Sequence, residues 1–373
     1  MYNTNSVYWN STPWPAGPSL QNPTRCDVCV IGLGASGLTA LTALNLHGVH
    51  AIGIDSGMVG AGAAGANGGF ILAGIADFHH DAVAALGHER ATRLYHRSLD
   101  EITLLATHEP GYEQRGSLRI ASSQEEYEDC QQQYAVMRRD GLAVEQYEGP
   151  EGRGLLVPTD GVFDPLARVR RMASTLRLAG VPLFERSRVT HIEPQLVIAN
   201  NQRITCRHII VAVDGNLEVL LPQLTSVVKT TRLQMLSTAP DSSVHFSRPV
   251  YYNYGFDYWQ QRRDGSITIG GARDQHADAE WGHAAYPTDT VQHAIENRLR
   301  TTVGSNAQIL HRWGASVAYR QDDIRPFVGQ VLSNVWACGG YSGTGNIIGT
   351  LCARDIATAI VTGNQHAIAG WND

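Results

Sequence analysis

The hexapeptide GLGASG, Gly32 to Gly37, constrains this chain more than any other feature. It follows the apolar run "CDVCVI" and precedes "LTALTALNLHG", where Leu38, Leu41 and Leu44 recur at helical spacing and Gly48 supplies a helix stop. A second short apolar run, "AIGID", then ends on Asp55 and is short enough for a buried parallel strand. The segment predicts a βαβ unit, and between strand and helix the G-x-G-x-x-G spacing has physical meaning. Gly32 permits the tight turn, Gly34 lets backbone approach a pyrophosphate, and Gly37 allows close helix packing. The helix start at Ala35 and Ser36 offers unpaired N–H groups and the positive dipole end. Asp55, 23 residues after Gly32, is placed with Ser56 to accept ribose hydroxyls. The pattern predicts dinucleotide binding.

A second formal match lies in "GAGAAGANGG", Gly60 to Gly69. It starts five residues after Asp55, which leaves no room for its own strand, and "FILAG" follows in place of an amphipathic helix. The match to the fingerprint is therefore coincidental. Two readings stay open for the loop: a surface linker, or backbone packed against the cofactor. The second is favoured, because linkers are polar and rarely run straight into an apolar segment.

With 373 residues the chain exceeds the usual single-core size, so two domains are expected. A formal net charge of −6, with one lysine, Lys229, and scattered arginines, gives no electrostatic footprint for nucleic acid or an anionic membrane. No stretch approaches the roughly 18 uninterrupted apolar residues of a membrane span, and the N-terminus lacks a signal-peptide pattern. The chain reads as cytoplasmic. Its six cysteines are spread without framework spacing, as suits reduced thiols, and Cys26 and Cys29 are expected on opposite strand faces. No His/Cys/carboxylate set has zinc spacing, so no metal is expected.

Further along, "HDAVAALGHERATRLYHRSLDEITLLATHE", "SQEEYEDCQQQYAVMRRDG", "PLARVRRMASTLRLAGV" and "DTVQHAIENRLRTTV" read as helices. "VPLFERSRVTHIE", "QLVIANNQRITC" and "RHIIVAVDG" read as strands, turning at Asn200-Asn201. "YWQQRRDGSITIGG" reads as a hairpin turning at Asp264-Gly265, and the C-terminus as strand, glycine turn and helix. Helices and strands alternate at both ends around a β-rich middle. The expected fold is α/β: a Rossmann-like nucleotide-binding domain plus a second α+β domain on a mixed or antiparallel sheet. The expected boundaries are 25–80, 151–215 and 312–366 for a discontinuous nucleotide domain, 81–150 and 216–311 for the substrate domain, and 1–24 for an extended leader.

"DVCVIGLGASGLTA…IGID", the "GA-x-x-x-NGG" segment and "ACGGYSGTGNIIGTLCARDIATAI" together resemble the D-amino-acid oxidase superfamily of FAD-dependent oxidoreductases. The similar branch contains glycine oxidase, sarcosine oxidase and gamma-glutamylputrescine oxidase. The resemblance covers residues 25–75, 160–215 and 310–363 well and the middle loosely. It implies one FAD held by two glycine segments. Gly32, Gly34, Gly37 and Asp55 fall on the first pattern, and Gly62, Ala63, Asn67, Gly68 and Gly69 on the second. Ala64 replaces a common serine and Ala66 a common arginine. Val189 matches the strand residue whose backbone meets adenine, and Ala212 the turn under the diphosphate. Gly340, Tyr341, Ser342, Gly343, Thr344, Gly345 and Asn346 match the loop beneath the flavin pyrimidine. A helix N-terminus there suits the negative charge of reduced flavin, by about 0.3–1 kcal/mol when exposed. Sarcosine-oxidase relatives attach FAD through a cysteine in the segment before this loop; "WGASVAYRQDDIRPFVG" has none, which implies non-covalent FAD.

The implied reaction is oxidation of a C–N bond of a small amine or amino acid by hydride transfer to flavin, with O2 or another electron acceptor. Amine oxidation of this kind needs aromatic walls and positioning groups more than acid–base machinery. Glycine-oxidase-like sequences carry an arginine for the substrate carboxylate in a "GLRP" segment, where this chain has Ser316, Val317 and Ala318, followed by Tyr319 and Arg320. Arg320, Arg325 and Arg273 are candidate substitutes. Tyr252 and Tyr254 are expected to share a strand face as a pocket wall or as core. Thr268 stands where sarcosine oxidases carry an oxygen-activating lysine. A non-catalytic flavoprotein and an NAD-dependent dehydrogenase are the alternatives. The substrate's identity and the oligomeric state are not legible.

Overall fold

In the computed structural model, which describes residues 5–372, the run Val28–Ile31 is buried along its whole length and lies in the middle of a six-stranded sheet. Met1 to Thr4 of the expected leader, and Asp373, lie outside the described residues. The chain divides into two compact units at Gly65/Ala66, Asp164/Pro165, Thr231/Arg232 and Ala315/Ser316. The leader is shared, with residues to Ser11 in one unit and Thr12 onwards in the other.

The parallel-sheet unit orders its strands Phe327–Leu332, Val335–Gly339, His208–Val211, Val28–Ile31, Ala51–Ile54 and Leu183–Phe184. All neighbours are parallel except the first pair. Helices Ala35–Leu46, Pro165–Leu178 and Ile348–Thr362 belong to this unit. A four-stranded sheet adds Thr24–Arg25, Gln202–Thr205, Leu196–Ala199 and Val189–Glu193, and its hairpin turns at Asn200 and Asn201, both at positive φ. One core holds both sheets together, built from residues such as Ile31, Ile54, Val197, Ile204, Val211 and Ala337. Cys26 precedes its strand, so the alternation expected to separate it from Cys29 does not reach it. Both thiols lie within hydrogen-bonding reach of Cys206. All six cysteines are buried and unbridged.

The other unit rests on an eight-stranded mixed sheet, ordered Ile309–Arg320, Val228–Thr238, Ile267–Gly270, Asp257–Gln261, Val250–Tyr252, Ser117–Ile120, Gly152–Val157 and Glu145–Gly149. Val250–Tyr252 pairs in parallel with Ser117–Ile120, while the pairings on either side are antiparallel. The chain passes between units along its two longest strands, Val228–Thr238 and Ile309–Arg320. Leu118, Ile120, Leu236, Trp259 and Ile269 pack with Val291, Ile295 and Leu299 of the helical segment that begins at Asp289. The long helix expected after residue 80 is two helices, His79–Leu86 and His88–His108, broken at Gly87 with φ +81°. Gln124–Arg139 starts on Ser123, whose Oγ accepts from Glu126 N. Among the described residues no helix is long and apolar enough to cross a membrane, and no group of three or more His/Cys/Asp/Glu residues could hold a metal ion.

Candidate active site

The glycine turn of the parallel-sheet unit is built around Gly32, whose φ of +110° is open to glycine alone. A Cβ there would lie 2.5 Å from the carbonyl oxygen of Ala212, so the two turns expected beneath the diphosphate touch. A Cβ at Gly37 would overlap the Gly32 carbonyl, which lets the helix start hard against the turn. Gly34 differs: a Cβ would meet only the Ala64 methyl, at 3.1 Å. Its smallness therefore leaves space open beside a helix N-terminus that has no side-chain cap and no acid in its first turn. At Gly62 a Cβ would likewise meet nothing within 4 Å. An uncapped N-terminus flanked by open glycine backbone fits a diphosphate.

Asp55 ends the Ala51–Ile54 strand and accepts from Leu33 N at 2.7 Å and Gly57 N at 2.8 Å. Burial pushes its carboxyl up, opposed by these two donors. Ser56 is exposed at the same corner, and Val189 opens the Val189–Glu193 strand nearly buried. The Gly60–Gly65 turn is packed rather than linker-like: Gly60 stands at φ +71°, a Cβ there would press on Val169 and Leu166, and one at Gly65 would press on Leu166. A single helical turn, Ala63–Ala66, follows.

The C-terminal loop is pinned by a residue the sequence reading passed over. Asp214 accepts from Gly340 N at 2.9 Å and, more weakly, Tyr341 N through one oxygen, and from Ala318 N at 3.0 Å through the other. Burial outweighs these donors and pushes its carboxyl up to about 6. "VDG" directly after a buried strand was the available signal. Ser342 N donates to Ala318 O, and a bridge joins Tyr319 to Tyr341. Gly340, Ser342 and Gly343 all take positive φ, which folds Gly340–Asn346 into a turn ahead of helix Ile348–Thr362. Thr344 Oγ1 donates to Tyr341 O, and Asn346 O accepts from Arg168. The Tyr341 ring is buried against Gly345 and Gly349, with its hydroxyl beside Cys338.

Arg320 gives Nε and Nη2 to Asp322 and Nη1 to Pro326 O, and Arg325 pairs with Asp323 at 2.7 Å. Both guanidiniums are thus engaged inside their own loop.

In the mixed-sheet unit, Asn67 folds its segment by accepting from Gly69 N through Oδ1 and from Trp9 through its carbonyl. Gly68 O accepts from Gln260. Tyr252 and Tyr254 do not share a strand face, because Asn253 and Tyr254 turn at φ +54° and +55°. Tyr252 packs with Trp259 and Arg298 on the core side, and the Tyr254 hydroxyl donates to Asp129. Phe70, Tyr251 and Tyr258 instead form an aromatic cluster that can serve as a wall: Phe70 lies 5.1 Å from Tyr251 and 5.8 Å from Tyr258, and the two tyrosines, cross-strand partners, stack at 6.0 Å. A Cβ at Gly68 would meet Phe70 and Tyr258, and one at Gly270 the Tyr258 ring, so both glycines make room for this wall. Arg273 stacks against Phe256 and Trp281 at 5.4 and 5.8 Å. Thr268 and its cross-strand partner Ser237 carry buried hydroxyls with no hydrogen-bond partner, an arrangement suited to an ordered water.

The family model described as DAO, FAD dependent oxidoreductase, matches residues 27–359. The chain is 25% identical over 374 residues to "Probable oxidoreductase OrdL" of Rhizobium meliloti, covering 91% of this chain and 84% of the relative. It is 24% identical over 378 residues to "Gamma-glutamylputrescine oxidoreductase" of Escherichia coli, with the same coverage of 91% and 84%. Its fold is similar to that of L-proline dehydrogenase from P. horikoshii, with a TM-score of 0.77 at 18% identity over 94% of this chain and 97% of that one.

Proposed function

The chain belongs to the DAO family of FAD dependent oxidoreductases, and from that premise we propose that it oxidises a C–N bond of a small amine or amino acid, giving an imine that hydrolyses. Bound FAD supplies the hydride acceptor. The family match sets aside the NAD-dependent alternative. Two of the similar proteins are named for redox chemistry on a polyamine conjugate and on an amino acid, which supports the substrate class.

The observation that carries the reading is the parallel-sheet unit itself. It combines an uncapped helix start beside open glycine, an acid one strand away, and a C-terminal loop tied down by Asp214. We assign that unit to FAD, with Gly32–Gly37 and Gly62–Ala64 along the diphosphate, Asp55 and Ser56 at the ribose, and Gly340–Asn346 at the ring. The mixed-sheet unit is assigned to the substrate, with Phe70, Tyr251 and Tyr258 as its hydrophobic wall. FAD is held non-covalently, since the segment 313–329 has no cysteine and Cys338 and Cys352 are fully buried. Six unbridged thiols favour a cytoplasmic setting.

Anaerobic addition of amines and amino acids to the purified protein, followed by readmission of oxygen, tests the proposal. Bleaching by at least one C–N substrate is expected, and the rate of colour return reports whether O2 serves as acceptor. A flavoprotein that no member of a broad panel bleaches is the non-catalytic alternative and overturns the reading.

A further inference from the structure

Trp9, in the leader segment "SVYWN", is 3% exposed, and its indole is directed at one loop. Its Nε1 donates to the Asn67 carbonyl at 2.8 Å, and a Cβ at Gly69 would lie 3.2 Å from its ring. Tyr8 stands edge-on to the indole at 5.0 Å, and the Arg262 guanidinium lies over it at 4.8 Å. The next carbonyl of the loop is engaged as well. Gly68 O accepts from Gln260 Nε2, and Gln260 Oε1 accepts from Arg262 Nη1 at 3.3 Å. Gly69 N donates to Asn67 Oδ1 at 2.9 Å. All of these residues belong to the mixed-sheet unit.

One group in this network is left over. Gly68 is buried, and its N–H meets no acceptor among the described residues. Buried amide donors without a partner are rare, because taking one out of water uncompensated is unfavourable. Across a planar trans peptide the C=O and N–H point in opposite directions, so an Asn67 carbonyl fixed on Trp9 turns the Gly68 N–H away from the indole. A Cβ at Gly68 would lie 2.5 Å from Phe70 and 3.4 Å from Tyr258, so the residue that carries this donor packs against the aromatic cluster.

We propose that Trp9 is a positioning residue: with Gln260 it locks the Asn67–Gly68 peptide so that the Gly68 N–H is presented to an acceptor atom of a ligand bound beside Phe70 and Tyr258. The inference rests on the flavin reading above. Two acceptors share the required chemistry, a heteroatom of the flavin ring and an oxygen of the substrate. Loss of the indole N–H frees the peptide to turn, and a carbonyl facing the ligand would repel the same acceptor.

The test compares Trp9→Phe, which keeps an aromatic ring and deletes the Nε1 donor, with Tyr8→Phe, which loses the leader's bonds to Asp264 and Ser266 and leaves the loop's partners in place. Hydrogen exchange of the backbone amides 66–70 is followed by mass spectrometry on the full-length protein, as purified and saturated with FAD. Trp9→Phe and Gln260→Leu are each expected to speed exchange in this segment by about threefold or more, and Tyr8→Phe to match wild type. Should Trp9→Phe fail to fold, Gln260→Leu carries the test, with thermal unfolding confirming its integrity. A displaced spectrum of bound flavin, with FAD held about fivefold more weakly, assigns the acceptor to the flavin ring. A KM raised about fivefold with an unchanged spectrum assigns it to the substrate. Both support the proposal. Exchange unchanged in Trp9→Phe overturns it, as does faster exchange with spectrum, FAD affinity and KM all unchanged. Failure of the wild-type protein to take up FAD strikes the flavin reading instead, and the exchange comparison still decides whether Trp9 locks the peptide.

Discussion

Asp160 shows how much a single buried group decides. It is 1% exposed, and burial pushes its carboxyl from the ordinary 3.8 up to about 6, although Ser117 and Ala73 donate to it. The folded protein therefore favours the neutral form, so the contribution to stability is complete below about pH 4 and lost as pH rises through about 6. Asp160→Asn can still accept from Ala73 N, can donate to Ser117 Oγ, and cannot ionise. Its stability relative to wild type should improve between about pH 4 and 7 by up to about 3 kcal/mol; a pH-independent difference in thermal unfolding contradicts this. Gly37→Ala acts through sterics, since its Cβ overlaps the Gly32 carbonyl. Overpacking of that kind costs about 1–3 kcal/mol, and the variant should lose stability and flavin together, as read by melting and absorbance. The fingerprint glycines were legible because their spacing, between an apolar run and a helical repeat, is contiguous in the chain, although Gly32 and Gly34 make room for the distant Ala212 and Ala64. Tyr251 and Tyr258 were not, because their meeting depends on hairpin register across a turn in which Tyr254 takes positive φ.

At the scale of elements, the part of the expected extended leader from Trp14 to Gly17 is a strap on the parallel-sheet unit. The guanidiniums of Arg170 and Arg177 lie over the Trp14 ring, at 5.6 and 4.6 Å from its centre, and Trp14 donates to Glu185. Glu185 is fully buried and also accepts from Gly17 N, from Arg177 and from Val59 N, at 2.6 Å for the last. The strap thus braces the loop that follows Asp55. Four donors hold the carboxyl below its ordinary range against the opposing effect of burial. Glu185→Ala would leave the Val59 and Gly17 N–H groups and Arg177 unpaired, at a cost of about 3–5 kcal/mol. Trp14→Ala should loosen the strap more mildly and raise the dissociation constant for FAD, measured by equilibrium dialysis; unchanged FAD affinity in both variants would separate the strap from the cofactor. Nothing local in "STPWPAGPSL" announces this role, because its partners lie beyond residue 160. The βαβ unit and the closing strand–turn–helix were readable, since each is contiguous in the chain.

The whole molecule interleaves two compact units, each assembled from three chain segments. Alternation of helices and strands at the two ends, with β structure between them, is the pattern from which a discontinuous nucleotide domain is expected. The central claim is that the parallel-sheet unit holds one FAD by non-covalent contacts. The most direct measurement is denaturation of the purified protein, separation of the supernatant from the polypeptide, and quantification of flavin in each. The account predicts about one FAD per chain, released entirely into the supernatant and restored by reconstitution. Colourless protein that takes up no FAD, or flavin that stays with the denatured chain, would contradict it.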